Sequence, residues 1–187
     1  MAHYDRRHRF NDGFTLVELI FGVALLSIVT VLGAPSMHSL LQRQRLTTAT
    51  HTVIHHLALT RMNAVTKGRP AVLCPSVDGQ RCSGGTDWSQ GWLLFIDRGE
   101  ERGLQPARIE DIVRVERNPF GGNLHLSTTS GRSRIRYMPD GRSVGSNLTF
   151  SLCSPKGELL TSVIVNNGGR ARSTRPKQTT PCPTSRS

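Results

Sequence analysis

Guanidinium groups spaced two or three residues apart are the feature of this chain best suited to act on another molecule. Gly168-Gly169-Arg170-Ala171-Arg172-Ser173-Thr174-Arg175-Pro176-Lys177 carries four cations and no acid. Guanidinium forks bind phosphate bidentately and a lysine adds a point charge, so the expected ligand is a polyanion. The paired glycines predict a flexible start, able to adapt its backbone to a strand or duplex. A second cluster, Gly131-Arg132-Ser133-Arg134-Ile135-Arg136, repeats the Gly-Arg-x-Arg order. Read as a strand, it points Arg132, Arg134 and Arg136 one way and Ser133, Ile135 and Tyr137 the other, a basic ribbon with an apolar back. The plain alternative for both clusters is a solvated charged face.

Other reactive side chains form no recognisable machinery. There is no phosphate-binding loop, dinucleotide fingerprint, nucleophile elbow or zincin helix, so the chain reads as a non-enzyme with no catalytic residue and no cofactor. His51 and His55 stand four apart, yet no third ligand follows in sequence; with His56 they read as histidines of a polar helix face, and no metal site is expected. Trp88 and Trp92 could stack bases, but core packing suits them better.

The elements that must position these groups follow from composition and pattern. In 187 residues, 36% are hydrophobic, enough for one modest core and too few for a large multidomain enzyme. The formal charge is +11, from 24 Lys and Arg against 13 Asp and Glu. Five cations and no acid fall within 166–187, whereas 98–117 holds five arginines and five acids and reads as a solvated mixed-charge surface. From Leu19 to Gln42 there is no Asp, Glu, Lys or Arg. At ~1.5 Å per residue, such a run is long enough for one transmembrane helix. Arginines flank it on both sides, so charge bias alone does not set its orientation. Pro35 should kink or locally unwind the helix. Beyond it Ile54, Leu57, Ala58, Met62 and Val65 recur at helical steps, predicting an amphipathic continuation that Gly68 and Pro70 end.

After Pro70 the pattern turns to short β-rich runs: 71–75, 92–97, 112–115, 124–127, 133–137, 149–153 and 159–165, with turns at Met138-Pro139-Asp140-Gly141 and Asn166-Asn167-Gly168-Gly169. The fold class is therefore α+β, one long helix laid against an antiparallel β domain.

The N-terminus carries the most specific short signal. A basic leader ends in Gly13 and the apolar run begins at once as Phe14-Thr15-Leu16-Val17-Glu18-Leu19. GFTLVEL resembles the cleavage and methylation signal of type IV pilins and type II secretion pseudopilins. The order of Val72-Leu73-Cys74-Pro75, Asp87-Trp88-Ser89-Gln90-Gly91-Trp92, Phe95-Ile96-Asp97 and Ile135-Arg136-Tyr137-Met138-Pro139-Asp140-Gly141 resembles the globular region of FimT/GspH-type minor pilins.

That resemblance implies a type IV pilin-like fold and a division into a leader (1–13), a transmembrane and assembly half-helix (14–37), an amphipathic half-helix (38–67) and a β domain (70–187) with a basic tail (166–187). It implies cutting by a prepilin peptidase between Gly13 and Phe14, methylation of Phe14, and a single pass in the bacterial inner membrane. The β domain would be periplasmic, becoming part of an extracellular pilus after assembly. A carboxylate within an apolar helix is costly without a partner; the family supplies one in a neighbouring subunit's N-terminal amine, which makes Glu18 an assembly residue.

In an exported domain an even number of cysteines favours disulfides. Cys74 and Cys82 enclose a Gly- and Asp-rich turn, and Cys153 precedes a hairpin-like segment ending before Cys182; the expected pairs are Cys74–Cys82 and Cys153–Cys182.

The resemblance extends to function. Gly169, Arg170 and Arg172 are similar to the C-terminal element by which FimT-like pilins bind DNA in natural transformation. Charge alone adds Arg175 and Lys177, and Arg132 and Arg134 form a second candidate patch. The expected partners are DNA, held by its phosphates without sequence preference, other pilin subunits, the peptidase and inner-membrane lipid. The rival reading is a structural FimU- or GspH-like minor pilin or pseudopilin that primes assembly without touching DNA. A blander one is a tethered basic domain drawn to anionic lipid or polysaccharide.

Processing is directly measurable. Protein taken from membranes should lack residues 1–13 by intact mass; a mature chain beginning after residue 35 contradicts the pilin-like leader.

Overall fold

The computed structural model of the chain describes residues 14–99, 104–143, 145 and 147–183, and the side chains of all of these except 31–36, 38 and 39. The chain divides into two compact units, Met1–Gln44 and Arg45–Ser187. Helix α1, Leu16–Lys67, begins in the first and ends in the second.

In the first unit the helix opens on a threonine cap. The Glu18 amide donates to Thr15 Oγ1 at 3.2 Å, half of a capping box in which Thr15 and Glu18 stand three apart. A carboxylate in this first turn also faces the positive end of the helix dipole, so Glu18 has a local use independent of any partner. Ser27 and Thr30 donate to the Val23 and Leu26 carbonyls at 2.6 and 3.0 Å, so their hydroxyls are satisfied inside an otherwise apolar stretch. Phe14, Leu16, Val17, Leu19, Ile20, Phe21, Val23, Leu25, Leu26, Ile28 and Val29 are all exposed. The backbone stays helical through Pro35 instead of unwinding there. Among the described residues no helix is long and apolar enough to cross a membrane; the uncharged run Leu19–Gln42 passes through 31–36, 38 and 39, whose side chains lie outside them.

In the second unit α1 buries a stripe that matches the expected one at Leu57, with Ile54 packed against it, and departs from it elsewhere. Ala49, Val53, Leu57 and Ala64 enter the core together with Thr50, His56, Thr60 and Asn63, while Ala58, Met62 and Val65 face outward, Met62 at 54% and Val65 at 51% exposure. The buried polar members close their own bonds along the helix: Thr50 to the Leu46 carbonyl at 2.8 Å, Thr60 to that of His56 at 2.6 Å, and Asn63 to that of Leu59 at 2.9 Å. Once satisfied in this way, small polar side chains are inexpensive to bury. Gly68 ends the helix at φ 61°.

His56 corrects the polar-face reading; it is buried, whereas His51 and His55 are exposed. Its Nδ1 lies 2.9 Å from the Thr52 carbonyl, its Nε2 lies 3.4 Å from Glu116 Oε2, and its ring meets Trp92 edge-on at 5.3 Å. A carbonyl can only accept, so Nδ1 carries a proton. Burial holds the imidazole below the usual 6.5, against the opposing pull of the Thr52 bond and Glu116.

The strands form two antiparallel sheets. Sheet A has the order β3-β2-β1-β5, with β1 Ala71–Pro75, β2 Gly91–Ile96, β3 Ile112–Arg117 and β5 Ile135–Tyr137. Sheet B has the order β4-β6-β7-β8, with β4 His125–Thr128, β6 Leu148–Cys153, β7 Leu159–Val165 and β8 Ala171–Thr174. The inner faces and the second half of α1 share one core, in which Trp88 stacks edge-on against Phe150 at 5.0 Å and Trp92 sits beside Phe120. On sheet A's other face Val72, Cys74, Leu93 and Phe95 are sealed with Cys82, Ile112 and Val115. Gln105 holds Cys82 there by both backbone groups, at 2.8 and 3.0 Å.

The mixed-charge stretch is less solvated than expected, because Asp111 is buried with Arg98 Nε at 2.6 Å. Two strand expectations also change. Strand β5 starts at Ile135 rather than 133, and β8 is a strand within the cationic tail, where none was expected.

Since the folded state holds the His56 imidazole pKa down, the unfolded chain takes up that proton more readily, and stability is lost as pH falls from the usual 6.5 through the folded value. The melting temperature should therefore drop between about pH 7 and pH 5, and His56→Gln should flatten that drop; thermal melts across the series with an unchanged slope would contradict it.

Candidate nucleic-acid interface

Strand β8 is an edge strand of sheet B, paired to β7 with Arg172 opposite Ile164 and Thr174 opposite Ser162. The turn before it is closed by Asn166. Its amide donates to the Arg170 carbonyl at 3.2 Å, its carbonyl accepts from Gly169 at 2.8 Å, and its side-chain oxygen accepts from the Arg170 amide at 3.0 Å. Ala171 packs on the core, so strand alternation turns Arg170 and Arg172 to the opposite, outward face. Both arginines are exposed, as are Arg175 and Lys177.

Gly169 is buried, and it has a packing role rather than the adaptive one expected of it. At φ 75° a Cβ would overlap the Gly141 carbonyl oxygen and lie 2.9 Å from the Tyr137 ring. No side chain fits, so the turn before β8 sits directly on the Met138–Gly141 turn. Three further bonds fix that contact: the Ser143 amide to the Asn167 carbonyl at 3.1 Å, Ser143 Oγ to the Asn166 carbonyl at 2.9 Å, and Arg61 Nε of α1 to the Gly141 carbonyl at 2.9 Å. Burial pushes the Tyr137 phenol well up, and its hydroxyl has no hydrogen-bond partner among the described residues. The arginine segment is thus mounted on a rigid corner of the domain.

The expected second patch is built differently. Arg132 lies in a turn, its amide donating to the Thr129 carbonyl at 3.0 Å and its carbonyl accepting from Thr128 at 2.6 Å. Arg134 lies in the loop before β5, both side chains are half-buried, and neither is free of partners. Only Arg136 is on the strand, and it is committed to buried Asp97 through Nε at 2.9 Å and through Nη2. There is no basic ribbon, because the short β5 leaves Arg132 and Arg134 outside its alternation.

Ion pairing distinguishes the tail from the arginines of the middle of the chain, although Arg61 and Arg117 there bond only carbonyls and Arg69 and Arg81 reach no carboxylate among the described residues. Arg98, Arg108, Arg114, Arg136 and Arg142 each reach a carboxylate, as in Arg142 Nε to Asp140 Oδ2 at 2.7 Å. Arg170, Arg172, Arg175 and Lys177 have no such partner among the described residues. Sequence could locate these cations but not the acids that neutralise the others, since Asp97 and Arg136 are 39 residues apart.

Cys74 is bonded to Cys82 and Cys153 to Cys182, with Cα separations of 5.6 and 6.0 Å. The second bond anchors the chain beyond β8, where the Cys182 amide donates to Gly157 and Leu159 to Thr180. Gly13 lies outside the described residues, and Phe14 and Glu18 are exposed, far in sequence from the cationic strand. Among the described residues no group of three His, Cys, Asp or Glu side chains could hold a metal ion. Open clefts of about 330 and 410 Å³ flank the Cys74–Cys82 loop, and neither is lined by Arg170 or Arg172.

The family model described as type II transport protein GspH matches residues 49–169, and the prokaryotic N-terminal methylation motif matches residues 9–34. No curated protein matches the chain. Among solved structures, the crystal structure of the Pseudomonas aeruginosa type IV minor pilin FimU is similar at 17% identity and a TM-score of 0.56, covering 74% of this chain and 95% of that one. The minor pseudopilin EpsH from the type II secretion system of Vibrio cholerae is similar at 12% identity and a TM-score of 0.50, covering 72% of this chain and 96% of that one. At these identities the likeness is one of fold.

The Cys153–Cys182 bond spans 29 residues, and on the chain-entropy model such a closure contributes about 3 to 4 kcal/mol. Cys153→Ser with Cys182→Ser should lower the urea-unfolding free energy by about that amount and expose the Cys182 amide to hydrogen exchange, with the β7–β8 amides still protected. A loss below about 1 kcal/mol would contradict the anchoring role.

Proposed function

The chain belongs to the GspH family, and from that premise we propose that it is a membrane-anchored minor type IV pilin that binds DNA through the phosphate backbone for uptake in natural transformation. The observation carrying this reading is the set of exposed cations, Arg170, Arg172, Arg175 and Lys177, with no carboxylate partner among the described residues. Four such groups beside one edge strand neutralise phosphates and read no sequence. Anchoring rests on the uncharged run Leu19–Gln42 and on the methylation motif at residues 9–34. Prepilin peptidase cuts at Gly13–Phe14, lipid holds the chain before assembly, and Glu18 meets the amine of a neighbouring subunit. The fold likeness to a pilus protein and to a secretion pseudopilin supports incorporation into a filament of either kind.

One observation favours the purely structural reading. Strand β8 is a sheet edge, and charged residues with a proline, here Arg172, Arg175 and Pro176, are a common defence against edge-to-edge aggregation. DNA binding separates the two readings.

The full chain in nonionic detergent, titrated with a short duplex at several salt concentrations, should bind with log affinity falling against log salt at a slope of roughly −3 to −4. Arg170→Ala with Arg172→Ala should weaken binding and reduce the slope's magnitude by about 2 without changing the melting temperature, as both side chains are exposed. Parent binding without salt dependence, or a variant equal to the parent, would remove the tail as the site.

A further inference from the structure

Beyond Thr174 the chain leaves β7 and then returns to it. Thr174 stands opposite Ser162 and its carbonyl accepts from the Thr161 hydroxyl at 3.0 Å, while the Leu159 amide donates to the Thr180 carbonyl at 2.9 Å. Residues 175–179 therefore face only Leu160 and Thr161, and the excess must stand off the ladder as a loop at the sheet edge. That loop is Arg175-Pro176-Lys177-Gln178-Thr179, in which Pro176 fixes one φ and the Gln178 carbonyl accepts from the Thr180 hydroxyl at 3.0 Å. Arg175 and Lys177 are exposed and reach no carboxylate among the described residues. The adjoining turn carries one acid, Glu158, bridged to Pro181, and one cation, Lys156, so it adds no net charge. The two ends of the loop are held unequally. At Thr174 it joins a four-residue ladder, Ala171–Thr174 on 162–165. At Thr180 the backbone bonds are that from Leu159 and that from the Cys182 amide to the Gly157 carbonyl at 2.8 Å, and the bond to Cys153, the last residue of β6, completes the closure.

We propose that the Cys153–Cys182 bond is a positioning element of the DNA site: it closes 175–179 into a loop that holds Arg175 and Lys177 ready for phosphates next to those met by Arg170 and Arg172. The proposal rests on the DNA-binding reading above and extends it by dividing the site into two halves with different supports. Arg170 and Arg172 are mounted by the β7–β8 ladder and the Gly169 corner, which do not involve the bond. Arg175 and Lys177 sit where the ladder has ended, so the far end of their loop depends on the disulfide. With the bond open, residues from 175 onward become a tail fixed at one end, whose two cations sample a larger volume and lose more freedom on meeting DNA. The bond therefore acts on affinity through these two side chains and no others of the site.

The test is a double-mutant cycle on the full chain in nonionic detergent, titrated at fixed salt with a fluorescent duplex of about 12 base pairs. Cys153→Ser with Cys182→Ser should weaken binding about three- to tenfold. Arg175→Ala with Lys177→Ala should weaken it about tenfold in the parent and less than about threefold in the serine pair. Arg170→Ala with Arg172→Ala should have the same effect in both backgrounds, which a general loosening of the domain would not give. Hydrogen exchange showing β7 and β8 amides still protected establishes that the serine pair is folded. Should it fail to fold, three glycines inserted between Gln178 and Thr179 loosen the loop with the disulfide intact, and the same loss is expected. If the serine pair or the insertion variant binds as the parent does, or if the loss from Arg175→Ala with Lys177→Ala is equal in both backgrounds, the positioning role is overturned and the Arg170 and Arg172 site stands. If the parent does not bind, the DNA reading itself fails and this proposal with it.

Discussion

The close approach of Gly169 to the Gly141 carbonyl and the Tyr137 ring is the constraint on which the rest of the domain depends. It sets the turn before β8, at the edge of sheet B, onto the turn after β5, at the edge of sheet A, with Arg61 of α1 bonded to the same carbonyl. Helix and both sheets therefore meet at a single peptide group. A residue with a Cβ at 169 would have to push these turns apart, and with them the strand that presents Arg170 and Arg172. Rigidity matters to binding, since side chains already held in place lose less freedom when they meet a ligand.

Electrostatics acts on this frame by subtraction. The formal charge is +11, yet most of the arginines between 98 and 142 are committed to acids of the same domain, several of them buried or half-buried. Among the described residues Lys67, Arg69, Arg81 and Lys156 also reach no carboxylate, but the longest such run, Arg170, Arg172, Arg175 and Lys177, stands on and after β8. A phosphodiester approaching there meets guanidiniums that do not have to release a carboxylate first, whereas Arg136 could be used only by leaving Asp97 buried and unpaired. His56 and Glu116 follow the same logic on the other side of the core, where burial favours a neutral imidazole.

Much of this was legible in the residues. The long helix ending at Gly68, the β1 and β7 runs and the turns at 138–141 and 166–169 follow from periodicity and turn chemistry, all of which are local. The buried stripe of α1 was legible only at Ile54 and Leu57, because Thr60 and Asn63 look polar until their hydrogen bonds to preceding carbonyls are seen. Strand β8 escaped for a similar reason: Ala-Arg-Ser-Thr has no apolar alternation, and its pairing with β7 alone makes it a strand. The arginines at 170 and 172 were visible as charge. Their freedom from acids, and the commitment of Arg136 to Asp97, required the fold.

The central claim is that unneutralised arginines, and not arginines in general, hold the ligand. Nitrogen-detected Nε–H spectra of the arginine side chains, recorded on the full chain in detergent micelles as short duplex DNA is added, test it most directly. The account predicts that the Arg170 and Arg172 signals shift with saturation while those of Arg98 and Arg136 stay fixed. Saturable shifts at Arg98 and Arg136 with Arg170 and Arg172 unmoved would contradict it.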